Sequence, residues 1–347
     1  MSKPLRIGFV GAGGIARFQA TKLKEIPGVE IPVVADVSDQ SLAEFQKVIP
    51  GVQSVKNWKS LVAMKDLDAV SVCTPNKLHF APTVAALKAG KHVIVEKPMA
   101  MNAREAKAMV DTAAKARRLL MIGFQWRFTP AAQLLRKRVA AGDFGDILYV
   151  RCQALRRRGI PNWGVFGRKD LQGGGPMIDI GVHILEMAHC VIGAPKPLSA
   201  SGSCHTYIGD KKSAVLSQWP NWDHKTYTVE DLAVGFIRFQ GGASLVIESS
   251  FAAHIEKDVF NIQIMGTKAG ATFEPLQIFT DAGGYMWNQT PAFPGNQDGF
   301  AYKMRHFVDC IRDGKPCEAP GRDGWAVQQM LDGIYASAAQ HREVKIA

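Results

Sequence analysis

A glycine-rich segment directly after a short apolar run constrains the fold of this chain more than any other feature. Residues 11–16 read GAGGIA and follow the almost wholly apolar run Leu5–Val10. Such a run is typical of a buried parallel strand. A helical pattern near Ile15–Ile26 comes next, so the segment predicts a tight strand–loop–helix connection of the kind that binds a dinucleotide. A plain strand–turn–helix is the alternative interpretation.

An acidic residue at the end of the next predicted strand supports a dinucleotide site. Asp36 follows the strand Ile31–Ala35, about 20 residues beyond the glycine loop, as the fingerprint requires. Its carboxylate is expected to bind the adenosine ribose hydroxyls, which favours NAD over NADP. A helix cap is the alternative role. Gly11 is predicted to allow the tight turn, and Gly13 the close approach of the pyrophosphate.

Strands and helices alternate through the first third of the chain. The further predicted strands are Ala69–Cys73, His92–Val95 and Leu119–Gly123, and the predicted helices are Asp39–Val48, His79–Ala89 and Ala103–Arg117. This alternation indicates right-handed βαβ units and an α/β fold with a doubly wound parallel sheet, the Rossmann arrangement. We therefore predict an NAD-binding Rossmann domain over residues 1–123.

The pattern changes after about Phe124. Helices are predicted at 131–141, 177–191 and 325–340, an irregular loop at 156–175, and strands at 147–155, 199–207, 231–239, 243–251 and 259–265. Gln240-Gly241-Gly242 is typical of a hairpin turn. Closely spaced strands predict an α+β domain with an open, mainly antiparallel sheet. We assign residues 124–347 to substrate binding and oligomerisation.

Composition limits the functional classes. The 347 residues include 47% hydrophobic and 21% charged side chains, six cysteines and a net charge of +11. Without CxxC spacing or an export signal, the cysteines are expected to be reduced and the chain cytoplasmic. No membrane span is predicted, and the basic stretch Arg151–Lys169 lacks the interleaved aromatics typical of nucleic-acid binding. That stretch is either a solvated face or a positive rim for an anion.

Two groups of residues are candidates for catalysis. Lys97 follows an apolar strand, so it lies at the carboxyl edge of the sheet, where ligands of open α/β sheets bind. Asp179 and His183 lie four residues apart in a predicted helix and share one face. A surface lysine and a core histidine are the alternatives. A metal site with Glu186 and His189 is also conceivable, but it lacks the HExxH pattern, and we predict no metal.

These motifs together resemble the Gfo/Idh/MocA oxidoreductase family. The matching segments are GAGGIA (11–16), CTPNKLH (73–79), EKP (96–98), GFQWRF (123–128) and GGGPMIDIGVH (173–183). The resemblance implies that Lys97, Asp179 and His183 are catalytic. It implies that the dinucleotide contacts Gly11, Gly13, Gly14, Ile15, Asp36, Thr74, Asn76, His79, Glu96, Lys97 and Gln125. Residues predicted to bind substrate are Lys97, Arg127, Arg157, Trp163, Asp179 and His183. The family more often has Asn at 125 and Arg at 126.

The resemblance implies a reaction in which a secondary hydroxyl of a sugar, cyclitol or glycoside is oxidised. His183 is predicted to be the general base, because the ordinary histidine pKa lies near about 6.5. Lys97 is expected to hydrogen-bond the reacting oxygen, and Asp179 to orient the substrate or His183. The alternatives are an NAD-dependent glycosidase or lyase that oxidises the sugar transiently, and a dinucleotide-binding regulator without turnover. A homodimer or homotetramer through the C-terminal sheet is expected.

Overall fold

The first sheet contains seven parallel strands. The computed structural model describes residues 3–346. The strands are β1 (Leu5–Val10), β2 (Val29–Glu30), β3 (Val33–Ala35), β4 (Gln53–Val55), β5 (Ala69–Val72), β6 (His92–Val95) and β7 (Leu120–Ile122). Their order is β4-β3-β1-β5-β6-β7, with β2 paired to the start of β1. The predicted doubly wound parallel sheet is confirmed.

Helices connect these strands, and local caps fix where several of them begin. They are α1 (Gly14–Lys24), α2 (Asp39–Val48), α3 (Trp58–Val62), α4 (Phe80–Lys88) and α5 (Ala103–Ala116). The Ser38 hydroxyl accepts a hydrogen bond from the Ser41 N–H at the start of α2. The Asn102 side chain does the same for the Glu105 N–H at the start of α5. Such caps satisfy N–H groups that have no acceptor within the helix.

The second sheet has nine strands and is mainly antiparallel. The helices before and beside it are α6 (Pro130–Ala140), α7 (Lys169–Gln172) and α8 (Val182–Val191). The strands are β8 (Ile147–Leu155), β9 (Pro197–His205), β10 (Leu232–Phe239), β11 (Ser244–Ser250), β12 (Val259–Gly266), β13 (Ala269–Thr272), β14 (Gln277–Ala282), β15 (Tyr285–Gln289) and β16 (Val344–Lys345). Their order is β15-β14-β13-β12-β8-β11-β10-β9-β16, and β8 and β11 pair in parallel. The predicted open, mainly antiparallel sheet is confirmed.

Two long helices lie between β15 and β16 in the chain: α9 (Gly299–Arg312) and α10 (Gly321–Gln340). The contacts divide the chain into two compact units. The first comprises the described residues up to Gln125 together with Gln297–Trp325, and the second comprises Trp126–Asn296 with the residues from Ala326 onward. The sequence-based division at residues 123 and 124 stays a prediction. Within residues 3–346, every helix is too short or too polar to cross a membrane.

The structure differs from the sequence-based expectations at four places. Residues 177–191 are helical throughout, as predicted, but Met177–Gly181 is a π-helical turn that leads into α8 rather than a part of an α-helix. The loop 156–175 contains the short helix α7. Helix α9 was not predicted, although Met304, Phe307 and Val308 are buried at the spacing of one helical face. Strand β15 was also not predicted: all its residues are exposed, so its sequence lacks the alternation of apolar and polar residues that indicates a half-buried strand.

Candidate active site

The glycine loop has the shape that a dinucleotide requires. Gly11 has a φ of +96°, and a Cβ on it would lie 2.6 Å from the Cys73 carbonyl oxygen. Both the dihedral angle and the contact therefore require glycine. A Cβ on Gly13 would meet no heavy atom of residues 3–346 within 4 Å, so its backbone is open to a ligand. Ala16 is fully buried where α1 packs closely on the sheet.

The start of α1 and the end of β3 complete this loop. Helix α1 begins with Gly14 and Ile15, and its first N–H groups have no acceptor within the helix. The Asp36 carboxylate accepts hydrogen bonds from the N–H groups of Ala12 (2.8 Å) and Ser38 (2.9 Å). It therefore holds the loop in place and remains partly exposed. These residues fit the adenosine and pyrophosphate end of NAD.

A lysine that the sequence interpretation did not consider lies beside Asp36. The Lys56 ammonium donates to the Val37 carbonyl (3.1 Å) and pairs with Asp39 (2.5 Å). The predicted preference for NAD rests on the Asp36 carboxylate, and Lys56 reaches the same end of β3 from beyond β4. This is a cation that no motif at the end of β3 reveals.

Glu96 lies in a buried polar network under Lys97. One carboxylate oxygen accepts from the Gln19 amide (2.5 Å) and from the Lys303 ammonium (3.4 Å), and the other from the Lys97 N–H (3.2 Å). Ser71 donates to the Gln19 amide oxygen (2.7 Å). Glu96 is 7% exposed and Lys303 is fully buried. We conclude that Glu96 fixes the backbone that carries Lys97. Sequence reasoning missed Gln19 and Lys303, which lie far from the motif in the chain.

His79 joins the loops that follow β5 and β6. Its two ring nitrogens each lie 2.8 Å from a carbonyl oxygen, that of Pro98 and that of Thr74. The side chain is fully buried. Burial lowers the pKa of His79, although both carbonyl contacts favour the charged ring. The structure thus gives His79 a positioning role for the backbone around Lys97 and Asn76.

Two residues of the GFQWRF segment (123–128) make contacts inside the protein. Gln125 is partly exposed, whereas the Trp126 ring packs on Phe260 with centroids 4.5 Å apart. The Arg127 guanidinium donates to the Glu186 carboxylate (2.8 Å), and the two side chains are 1% and 0% exposed. The structure therefore shows a buried ion pair where sequence reasoning expected Arg127 to bind substrate. The substrate role of Arg127 stays a prediction that this pairing disfavours.

The segment with Asp179 and His183 exposes one narrow face. Between residues 174 and 192, Asp179, Ile180 and His183 are the partly exposed positions, and the others are buried. The segment lies against β8, β11 and β12. The π-helical turn widens the chain just before His183, a feature that often marks functional sites. Both side chains thus face the accessible side of an otherwise buried segment.

A buried carboxylate holds the glycine run that precedes Asp179. Glu230 accepts hydrogen bonds from the Gly175 N–H (3.0 Å), the Met177 N–H (3.3 Å) and the Tyr335 hydroxyl (2.7 Å). Burial raises the pKa of Glu230. A Cβ on Gly174 or Gly175 would clash with Tyr335 or with the Glu230 backbone. The glycines therefore serve close packing, and sequence reasoning missed both partners because each lies at least 50 residues away.

The arginine triplet divides into different roles. Arg156 interacts electrostatically with Asp179, and burial lowers its pKa. Its guanidinium lies over the Trp219 ring, 5.0 Å from the centroid. Trp219 in turn meets the half-exposed Trp163 ring edge to face, with centroids 4.8 Å apart. Arg157, the residue predicted to bind substrate, instead turns its side chain to the Glu256 carbonyl (2.9 Å).

Glu186 and His189, the alternative metal ligands on α8, each contact another protein group. Glu186 is held by Arg127, as described above. The His189 Nε2 lies 2.8 Å from the Pro195 carbonyl oxygen, and its ring stacks on Phe239.

Comparisons with known proteins agree with these features. The model of the Gfo/Idh/MocA oxidoreductase family, described as an NAD-binding Rossmann fold, matches residues 5–124. The model of the Gfo/Idh/MocA C-terminal domain matches residues 132–272. The chain is an NAD-binding oxidoreductase.

Similar proteins cover the whole length. The D-glucoside 3-dehydrogenase of Escherichia coli K12 is 37% identical over 99% of this chain and 98% of its own. The levoglucosan dehydrogenase of Pseudarthrobacter phenanthrenivorans is 27% identical over 99% of this chain and 98% of its own. A solved structure of levoglucosan dehydrogenase in complex with NADH has a TM-score of 0.86, 25% identity, and coverage of 99% and 100% of the two chains. The chain therefore belongs to the Gfo/Idh/MocA oxidoreductase family.

Proposed function

We propose that this protein oxidises a secondary hydroxyl of a sugar, with a glycoside as the preferred class, and reduces NAD. The observation that carries the proposal is the presence of Lys97, Asp179 and His183 in a chain that resembles a glucoside 3-dehydrogenase along almost its entire length. The levoglucosan dehydrogenase and myo-inositol 2-dehydrogenase relatives extend the candidate substrates to other sugars and cyclitols.

The proposed chemistry separates the two hydrogens of the carbinol. Held at the glycine loop by Gly11 and Gly13 and by Asp36, NAD would supply the acceptor for the hydrogen on carbon and its electron pair. His183 accepts the hydroxyl proton, and Lys97 donates a hydrogen bond to the oxygen as its negative charge develops. Asp179 orients the hydroxyl or the imidazole. The atoms balance as alcohol and NAD giving ketone, NADH and a proton. The partial exposure of Asp179 and His183 on one face supports these roles.

Arg156 and the tryptophans support a glycoside over a small acyclic polyol. A pyranose ring has apolar C–H faces that pack on indole rings, and its hydroxyls suit charged donors. Trp163 is 50% exposed and contacts Trp219. The Arg156 guanidinium lies over the Trp219 ring and interacts electrostatically with Asp179. We propose Trp163 and Arg156 as substrate contacts and retain Arg157 as the weaker candidate.

A substrate screen tests the proposal and separates it from its two alternatives. NADH formation at 340 nm is measured with the purified chain and NAD across glycosides, free sugars, cyclitols and uronic acids. We expect stoichiometric NADH and an oxidised sugar with a glycoside. Release of the aglycone without net NADH would favour a glycosidase or lyase. Tight NAD binding without turnover on any substrate would favour a regulator.

We also propose that the nine-stranded sheet mediates self-association. Strand β15 exposes three large side chains, Tyr285 (72%), Met286 (91%) and Trp287 (50%), at one edge of that sheet. Exposed apolar groups of this size are typical of an interface. Light scattering should give the mass of a dimer or tetramer, and Met286→Lys should lower it. A monomeric wild-type mass would contradict the proposal.

A further inference from the structure

A histidine and two cysteines converge in the first compact unit. His306 and Cys310 lie four residues apart on α9, so they share one face of the helix. Cys317 lies in the segment between α9 and α10. One ligand atom from each side chain lies within 4.8 Å of the others. A tetrahedral zinc centre holds its sulfur and nitrogen ligands about 3.5–3.8 Å apart, given its bond lengths. Small side-chain movements would bring these three atoms to such distances.

The His306 ring lies between Cys310 and Glu318. Its Nε2 lies 3.3 Å from the Cys310 sulfur, and its Nδ1 lies 3.9 Å from a Glu318 carboxylate oxygen. The Tyr302 ring is nearly parallel to it, at 8° and 6.2 Å between centroids. A carboxylate behind a histidine stabilises the tautomer that presents the other nitrogen to a metal. The Glu318 N–H donates to Nε2 (2.9 Å), and a metal bound at Nε2 would replace this hydrogen bond.

The two cysteines of the cluster differ in their exposure. Cys310 is buried and Cys317 is partly exposed. A fourth coordination position would therefore be open to water from the Cys317 side.

The cluster also lies where a bound ion would stabilise the fold. The segment after Cys317 is attached to the edge of the parallel sheet, because the Ile122 N–H donates to the Ala319 carbonyl (2.9 Å) and Pro320 bridges to Met121. Cross-linking α9 to this segment would restrain the edge strand β7. None of the residues with a proposed catalytic role belongs to the cluster.

We propose that His306, Cys310 and Cys317 form a structural site for a thiophilic divalent ion of the zinc class. The His/Cys/Cys set suits Zn²⁺, and its softness disfavours Mg²⁺ and Ca²⁺. Glu318 supports the histidine from outside the coordination sphere. The site is independent of the proposed oxidoreductase activity.

Metal titration of the reduced, full-length chain tests this site. The protein is treated with a chelator, desalted, and titrated with Zn²⁺ against a chromophoric competitor, and separately with Co²⁺. We expect one equivalent of Zn²⁺, a near-ultraviolet thiolate-to-cobalt absorption, and a Tm that rises with Zn²⁺. Cys317→Ser should weaken Zn²⁺ binding at least about 100-fold, and Glu318→Gln roughly 10-fold.

Cys204→Ser is the matched control, because Cys204 is also partly exposed but lies on β9 of the second unit and does not belong to the cluster. It should bind Zn²⁺ as the wild type does. The proposal is overturned if the wild type binds no Zn²⁺, or if Cys317→Ser and Cys310→Ser both bind it unchanged. It is also overturned if Cys310 and Cys317 form a disulfide under the titration conditions, and if the reduced protein forms this disulfide equally fast with and without bound Zn²⁺. The Tm of each variant without metal verifies that it folds.

Discussion

Alanine substitutions at Gly11 and Gly13 separate folding from dinucleotide binding within one loop. Both residues belong to the GAGGIA segment, and both substitutions add a single methyl group. At Gly11 that group would meet the Cys73 carbonyl, 2.6 Å from its oxygen, and φ is +96°. At Gly13 it would meet no described protein atom within 4 Å, and φ is −66°. We expect the first change to damage the fold and the second to damage binding.

The magnitude follows from these two environments. An alanine held at positive φ costs about 1–3 kcal/mol in strain, and forcing a methyl group into packed backbone adds about 1–3 kcal/mol. Gly11→Ala should therefore lower the free energy of unfolding of the first unit by about 2–6 kcal/mol, and its Tm by roughly 5–20 °C. Gly13→Ala should cost less than about 1 kcal/mol, the loss of a favourable N-cap. Its methyl group would stand where the pyrophosphate approaches, so the Kd for NAD should rise at least about tenfold.

Thermal unfolding without NAD and NAD titration by calorimetry measure the two effects separately. The reasoning is refuted if Gly13→Ala lowers Tm as much as Gly11→Ala does. It is equally refuted if Gly13→Ala binds NAD as tightly as the wild type.

Three further experiments test residues that support the site. Glu230→Gln replaces the carboxylate at which three hydrogen-bond donors converge by an amide, so turnover should fall roughly tenfold at unchanged NAD affinity. Tyr335→Phe removes only one of these donors and should lower turnover less. Equal NADH formation by both variants and the wild type would contradict this. Burial lowers the pKa of His79 in the folded state. The stabilising contribution of the neutral ring is therefore present above about pH 6.5 and is lost as the pH falls through the folded-state pKa. The Tm difference between the wild type and His79→Gln should shrink on acidification. Arg127→Leu should lower the free energy of unfolding by about 3–5 kcal/mol in urea denaturation, and adding Glu186→Leu should restore most of it; a loss confined to substrate KM would instead favour a substrate contact.

The parallel sheet could be predicted because its signals are local. The run Leu5–Val10, the GAGGIA loop and the helix boundaries each depend on a few adjacent residues, and the strand His92–Val95 matches its prediction at both ends. The positions of Lys97, Asp179 and His183 were also read from adjacent residues. The shared exposure of Asp179 and His183 within a buried segment agrees with one helical face, although the turn that holds Asp179 is π-helical.

The supporting residues could not be predicted because each acts over a long separation in the chain. Glu230 reaches the glycine run from 55 residues away, and Lys303 reaches Glu96 from 207 residues away. No periodic pattern encodes such a contact. Sequence motifs also do not show which polar atoms a fold already uses. Thus His79 and Arg127 matched a binding pattern, yet their side chains are buried against carbonyl and carboxylate groups.

Single-turnover NADH formation by His183→Ala and Lys97→Ala tests the central claim most directly. Enzyme and NAD are mixed with the best glycoside from the screen, and absorbance at 340 nm is followed in a stopped-flow instrument, with the Kd for NAD measured in parallel. We predict that His183→Ala binds NAD within about twofold of wild type and that Lys97→Ala still binds NAD. At saturating NAD each variant should form NADH about 10²–10⁴ times more slowly, the effect of losing a positioned acid–base group. Formation of NADH by His183→Ala at the wild-type rate would contradict the account.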